Sequence, residues 1–143
     1  MEEVRDNCLC FATHKAAREL ARHFDRVFAP LGITHGQYSM MVAITGMGQP
    51  KAVQLAGFLV MDQATVTAAI KTLVAKGLVE TAQDPADRRA RRVSMTATGH
   101  AVLARALPLW CAAHAEIDQG LPKSRPNQLR QGLSEVITTL RNK

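Results

Sequence analysis

The stretch from about residue 50 to residue 96 constrains the fold most, because its periodicity changes from helical to strand-like within a short segment. Residues 63–76 carry apolar side chains at helical spacing and follow Asp62, a residue type that often caps the start of a helix. Gly77 then stands where many helices end in a left-handed residue. The apolar positions are Val66, Ala69, Ile70 and Leu73. The pattern predicts a helix with one buried face and one free face.

A second apolar pattern before Asp62 and two alternating segments after Gly77 complete the motif. The first predicts a short helix through Leu59. The alternating segments, residues 78–82 and 93–96, predict a β-hairpin whose turn carries four arginines in five residues. These are Arg88, Arg89, Arg91 and Arg92. This order predicts a winged helix–turn–helix, in which the second helix enters the major groove of DNA and the hairpin reaches the backbone or minor groove.

The flanking segments predict long helices over residues 4–29, 97–119 and 125–141. Their apolar stripes exceed what one small domain can cover, which favours a symmetric homodimer with two recognition helices for a palindromic operator. The predicted fold class is mainly α with a small β-hairpin. We expect one domain over residues 1–143, with a winged helix at 33–96 and dimerisation helices at 1–31 and 97–143.

Composition points to a polyanionic partner. The formal net charge is +6, and four arginines stand close together in the predicted hairpin. No apolar run is long enough to span a bilayer, and the acidic residues near the start do not suit a signal peptide. Three cysteines are an odd count without the density of a disulfide scaffold. We expect a cytoplasmic protein that binds double-stranded DNA, with no membrane association and no cofactor.

Several segments resemble the MarR family of transcriptional regulators. The run Asp84-Pro85-Ala86-Asp87-Arg88-Arg89, followed by Val93-Ser94-Met95-Thr96-Ala97-Thr98-Gly99, is similar to the family's wing and the helix that leaves it. Lys76-Gly77-Leu78-Val79 is similar to the end of its recognition helix, and Ile33-Thr34-His35-Gly36-Gln37-Tyr38 to the start of an earlier helix. The resemblance implies a dimeric regulator that is not an enzyme and that can respond to a small-molecule effector.

Candidate DNA contacts lie on the free face of the recognition helix and on the wing. Gln63 can pair with adenine, Thr65 can donate to a base or phosphate, and Ala68 can touch a thymine methyl. Lys71 and Thr72 suit phosphates. On the wing the candidates are Asp87, Arg88, Arg89 and Arg91. The resemblance implies that Arg89 enters the minor groove while Asp87 orients the turn.

The segment around Cys10 resembles the L-C-F segment of the organic-hydroperoxide-sensing branch of the family, with Cys10 at the reactive position. A helix N-terminus favours a thiolate, and His14 one turn later could stabilise it. Cys111 is a candidate resolving thiol, and Cys8 is a further candidate redox residue. The branch's tyrosines are replaced here by His14, Phe24 and His35.

Two alternatives remain for the cysteines. They could be buried core residues, since free cysteine is among the residue types most often buried. They could also belong to a soft-metal site in which Cys10 pairs with His14 on one helix and Cys111 pairs with His114 on another. Four ligands would assemble only if the two helices met.

The favoured function is a dimeric repressor released from DNA by a small effector or an oxidant. One alternative is a thiol-based redox or metal sensor using Cys10. A second is a weakly specific architectural DNA protein, because relatives often carry arginine at the positions of Ala68 or Thr72. A thiol peroxidase would not explain the basic hairpin.

Overall fold

The computed structural model describes residues 1–142, which form seven α-helices and one two-stranded antiparallel hairpin. The helices are α1 (Glu2–Asn7), α2 (Leu9–Phe28), α3 (His35–Met47), α4 (Ala52–Leu59), α5 (Gln63–Ala75), α6 (Ala97–Gln119) and α7 (Arg125–Arg141), with a 3-10 turn at Ala29–Leu31. The strands are β1 (Val79–Gln83) and β2 (Arg91–Met95). The mainly helical fold with a hairpin confirms the predicted fold class. The chain divides into two compact units, residues 1–109 and residues 110–143.

The N-terminal helix is interrupted at Cys8, so the single helix predicted over residues 4–29 is wrong. Cys8 has an extended backbone, and its Sγ accepts a hydrogen bond from the Phe11 N–H at 3.4 Å. A side chain that accepts from the first turn in this way is the mark of an N-cap. The chain therefore ends α1 and begins α2 at this residue. Cys10 thus lies in the first turn of α2.

The core of the first unit brings α2 against α3 and the helix–turn–helix. Phe28 is fully buried and stacks on Tyr38 with ring centroids 4.5 Å apart. Met41, Ile44 and Leu55 are fully buried in the same core. At the start of α3, Thr34 and Gln37 form a capping box, because the side chain of each accepts a hydrogen bond from the backbone N–H of the other. This fixes where α3 begins.

The recognition helix α5 has the predicted buried and free faces. Val66, Ile70 and Leu73 are buried. Asp62 caps the helix through a hydrogen bond from the Thr65 N–H to its Oδ1 at 2.8 Å. Gly77 has φ +67, so a residue without Cβ turns the chain from α5 into β1. The start, the end and the buried side of α5 therefore follow from its own sequence.

The hairpin is attached to the helix–turn–helix along one edge. Val79 pairs with Met95 and Gln83 with Arg91 across the two strands. Outside the hairpin, Lys51 forms an isolated antiparallel bridge with Arg92, and the Val93 N–H donates to the Pro50 carbonyl at 2.9 Å. The residues before α4 thus lie beside β2 as a very short third strand.

The second unit contains the end of α6, a turn and α7. Arg130 pairs with Asp118 across the turn, with Nη2 and Oδ2 3.0 Å apart. Ser124, the residue before α7, makes no capping hydrogen bond because its backbone is already helical. Leu129, Leu133 and Leu140 are 48%, 47% and 66% exposed, as expected of an apolar stripe that the single chain does not cover. Within the described residues, α7 leaves much of its apolar face uncovered.

No single helix among residues 1–142 is long and apolar enough to cross a bilayer. Helices α4 and α5 meet that requirement only as a pair, which is bent by 113° at its break.

Candidate nucleic-acid interface

The exposed face of α5 carries the predicted recognition residues. Gln63, Thr65, Ala68, Lys71 and Thr72 are all exposed, whereas Val66, Ile70 and Leu73 are buried. Among the hydrogen bonds of residues 1–142, none involves the side chain of Gln63 or Lys71. Both polar groups are therefore free to bind an external partner.

The threonine hydroxyls of α5 are less available than the sequence suggests. Thr65 Oγ1 lies 2.5 Å from Asp62 Oδ2 and donates to that carboxylate, so its proton belongs to the helix cap. The hydrogen bond from the Thr65 hydroxyl is the largest cause that lowers the pKa of Asp62. Thr72 Oγ1 donates to the Ala68 carbonyl at 3.1 Å. Both hydroxyls can still accept a hydrogen bond, but the expectation that Thr65 donates to DNA does not fit this geometry.

Two aspartates shape the turn of the wing, the hairpin from β1 to β2. Asp84 Oδ1 accepts from the Ala86 N–H at 2.9 Å, and Asp87 Oδ1 accepts from the Arg89 N–H at 3.0 Å. The Asp84 N–H also donates to the Ala90 carbonyl at 3.0 Å, which closes the loop. Bonds from an aspartate to the backbone two residues later are a common way to fix a turn. As a result Arg88 and Arg89 stand exposed at its tip.

The four arginines of the wing have different surroundings. Arg91 donates to Thr81 on the neighbouring strand, through Nε to Oγ1 at 3.1 Å and through Nη2 to the carbonyl at 3.0 Å. Arg92 faces Asp84, with Nε and Oδ1 3.3 Å apart. Arg88 and Arg89 have no side-chain ion pair among the described residues. The tip arginines are therefore the ones whose charge is fully available to a polyanion.

An ion cluster around the buried Asp84 carboxylate lies at the base of the wing and has no signal in the sequence. Asp84 is 1% exposed, and its Oδ2 lies 2.5 Å from the Nζ of Lys51, the residue before α4. With Arg92 on its other oxygen, this carboxylate contacts two cations. The Lys51 ammonium first, then the Ala86 N–H, lower the pKa of Asp84 to about 2. The sequence predicts Asp84 only as a turn residue, because no pattern near it indicates a contact with Lys51.

An apolar pocket of about 430 Å³ lies between α5 and the hairpin. Ile70, Val74 and Val93 supply apolar walls, and Lys71 and Arg91 also line it. Its surface is almost wholly apolar, so it suits a small apolar molecule. An occupant would lie against two of the predicted DNA contacts.

The three cysteines are free thiols. Cys10 and Cys111 are exposed, whereas Cys8 is partly buried. The exposure of Cys10 and Cys111 does not fit the interpretation of these residues as core cysteines. Cys10, in the first turn of α2, is therefore the cysteine that combines exposure in the single chain with a position at a helix start.

The alternative of a soft-metal site finds no support in the geometry. Within the described residues, no group of three or more His, Cys, Asp or Glu side chains gathers as a metal ion would require. Neither the pair Cys10 and His14 in the first unit nor the pair Cys111 and His114 in the second gains a further ligand of these types within its own unit. His114 instead packs its ring against Trp110, with ring centroids 4.3 Å apart. The spacing of Cys111 and His114 along α6 predicted a shared helix face, but a pair alone does not complete a zinc site.

Residues 33–90 match the MarR family. The Organic hydroperoxide resistance transcriptional regulator of Bacillus subtilis (strain 168) is 24% identical over 135 residues, covering 94% of this chain and 88% of the relative. Transcriptional regulator HosA of Escherichia coli O111:H- is 36% identical over 77 residues, or 54% of this chain. The match to HosA spans 57% of that relative's length.

Two similar solved structures contain DNA. The transcriptional regulator MosR of M. tuberculosis, in complex with DNA, has 29% identity and a TM-score of 0.81, covering 94% of this chain and 99% of that one. A mutant MarR from E. coli, complexed with operator DNA, has 25% identity and a TM-score of 0.85, covering 94% and 96%. The likeness extends over nearly the whole length of all three chains.

Proposed function

We propose that this chain is a MarR-family transcriptional regulator that binds a palindromic operator in the cytoplasm as a dimer and represses transcription until an effector releases it. The observation that carries the proposal is that one face of α5 is exposed and that the neighbouring hairpin exposes Arg88 and Arg89 at its tip. A helix for the major groove and a cationic wing for the backbone or minor groove are the two parts that such recognition needs.

The division of labour follows from the available groups. Gln63 is the candidate for base readout, because an amide can make two hydrogen bonds to one adenine. Lys71 and Arg88 are candidates for phosphates, and Arg89 is the candidate for the minor groove, whose negative potential attracts arginine. Asp87 supports Arg89 by fixing the turn that presents it. Arg91, held against Thr81, has part of its guanidinium left for a phosphate.

A dimer follows from the uncovered apolar surface. Leu9, Phe11 and Leu20 on α2 are 58%, 47% and 43% exposed, and α7 exposes an apolar stripe of its own. Such a large uncovered apolar area is unusual on a monomer and marks an interaction surface. A second copy of the chain would cover it and would supply the second recognition helix.

Two features support release by an effector. The pocket between α5 and the hairpin would place a small apolar effector beside Lys71 and Arg91, two of the candidate DNA contacts. Exposed Cys10, in the first turn of α2, would give an oxidant access. Either event would favour a protein conformation with a different spacing of the two recognition helices.

The decisive experiment is selection of duplexes from a random DNA library by the purified protein. We expect an inverted repeat to be enriched and to bind at least 10³-fold more tightly than a random duplex of equal length at about 150 mM salt. Equal affinity for both duplexes would favour an architectural DNA protein instead. A monomer bound to a single half-site would contradict the dimeric arrangement.

A further inference from the structure

We infer that Asp84 is a positioning residue that holds the cations of Lys51 and Arg92 at the base of the wing, so that the wing meets DNA through its tip. The inference rests on the proposed function, because it assigns roles within DNA binding. It adds residues that make specificity possible without being DNA contacts themselves.

The first support is the position of the cluster. Lys51 lies directly before α4, Asp84 at the end of β1, and Arg92 near the start of β2. The two cations come from segments that also share the Lys51–Arg92 bridge and the Val93–Pro50 hydrogen bond. Asp84 therefore fastens the hairpin to the helix–turn–helix at the same place where the backbone does.

The second support is the burial of the Asp84 carboxylate between two partly exposed cations. The Asp84 side chain is 0% exposed, whereas Lys51 and Arg92 are 30% and 40% exposed. A buried carboxylate without cations would be costly, so the cluster holds together as a unit. Its members also fix backbone: Asp84 accepts from Ala86, and Arg92 Nη1 contacts the Gln49 carbonyl at 3.5 Å.

The consequence concerns where positive charge meets DNA. Two cations and one buried anion leave a net charge of one positive unit at the base of the wing, and both cations are oriented toward Asp84. Loss of the carboxylate would free Lys51 and Arg92 to bind any nearby DNA phosphate. It would also weaken the attachment of the hairpin to the helix–turn–helix. Binding to every duplex would then gain an electrostatic contribution that carries no sequence information, while the placement of Arg89 would become less exact.

The test uses the full-length protein, the duplex that it selects from a random library, and a random duplex of equal length. For Asp84→Asn we expect the slope of log affinity against log salt on the random duplex to steepen by about one charge per subunit. The ratio of operator to random affinity should fall roughly tenfold, as when a groove contact is misplaced. Asp118→Asn is the matched control, because it also removes a carboxylate from an arginine ion pair but lies outside the winged helix.

A second pair of variants keeps the inference testable if Asp84→Asn does not fold. Arg92→Gln and Arg89→Gln each remove one guanidinium from the wing. Arg89→Gln should reduce the salt slope by about one charge per subunit, and Arg92→Gln by less than half of that. If both reduce the slope equally, or if Asp84→Asn behaves like Asp118→Asn, Asp84 does not keep these cations from DNA. Failure of the wild-type chain to prefer any duplex would instead overturn the proposed function.

Discussion

Gly99, in the first turn of α6, lies directly against the backbone of Leu78, so that a Cβ at residue 99 would overlap the Leu78 carbonyl oxygen and lie 2.8 Å from Met95 Cε. Thr96 brings the two segments together. Its N–H donates to the Leu78 carbonyl at 3.1 Å, and its Oγ1 donates to the Gly77 carbonyl at 2.7 Å. The Gly99 N–H in turn donates to Thr96 Oγ1 at 3.0 Å. The end of the wing, the start of β1 and the start of α6 are therefore joined at one point.

Gly99→Ala should lower the free energy of unfolding by about 1–3 kcal/mol, because the new methyl meets backbone atoms that cannot move aside alone. Urea titration followed by circular dichroism would measure the change. The control is Gly46→Ala in α3, where a Cβ meets nothing within 4 Å. It should raise stability by up to about 1 kcal/mol, since alanine is the better helix former. Equal effects from both variants would show that the contact with Leu78 is not restrictive.

Stability should fall in acid partly through Asp84. Its pKa of about 2 in the folded chain lies below the ordinary 3.8, so its contribution is complete above pH 3.8 and is lost as pH falls toward 2. The urea midpoint of Asp84→Asn should therefore differ most from wild type near neutral pH, and the difference should shrink below pH 3.8. Glu116→Gln, on an exposed residue outside the ion pairs of residues 1–142, should show no such trend. A difference that stays constant with pH would mean that Asp84 acts through its shape and not its charge.

Alanine substitutions in the wing and in the recognition helix should change DNA binding in different ways. Arg89→Ala should weaken binding to operator and random duplexes by about 1–3 kcal/mol and reduce the salt slope by about one charge per subunit. Gln63→Ala should leave the salt slope unchanged and relax base preference at one position in each half-site. Fluorescence anisotropy over a salt series, with single-base operator variants, would measure both. Identical losses on every duplex from both variants would contradict this division.

The apolar stripe of α7 should be part of the dimer interface. Leu133→Lys places a charge at a position that is 47% exposed in the single chain, and a dimer would have to bury it. Sedimentation equilibrium should give twice the 15.6 kDa chain mass for wild type and a shift toward monomer for the variant. Gln131→Lys, about half a helical turn away on the polar side, should remain dimeric. A wild-type chain that sediments only as a monomer at micromolar concentration would remove the basis for two half-sites.

Cys10 should control DNA release if an oxidant is the effector. An alkyl hydroperoxide such as cumene hydroperoxide would transfer one oxygen to the thiolate, giving a sulfenic acid and leaving the alcohol. DNA affinity should then fall and return after treatment with dithiothreitol. Cys10→Ser should bind DNA normally and resist release, because serine is of similar size but is not oxidised in this way. Cys111→Ser tests the resolving thiol: release without reversal by dithiothreitol would indicate overoxidation of Cys10. Normal release from Cys10→Ser would direct attention to the pocket between α5 and the hairpin.

The sequence by itself determined the elements whose signals are local. Asp62 marks the start of α5 and Gly77 follows its end, while Thr34 and Gln37 mark the start of α3. Alternating apolar and polar residues on both sides of a basic turn predict the hairpin. Each of these rests on hydrogen bonds or backbone angles within a few residues, so it can be read from neighbouring letters. The order of the elements was then enough to predict a winged helix and to indicate α5 and the wing as the DNA-binding parts.

Only the tertiary structure decided which charged and polar side chains remain available to DNA and which already contact other parts of the chain. Lys51 and Asp84 are 33 positions apart in the printed sequence, and only folding of the wing onto α4 makes them an ion pair. The same is true of Gly99 and Leu78, whose close approach no local pattern reveals. The break at Cys8 also escaped prediction, because helical periodicity continues through a residue whose thiol instead caps the next helix. Local hydrogen bonding fixes the elements, whereas burial and long-range charge pairing fix which side chains remain free for DNA.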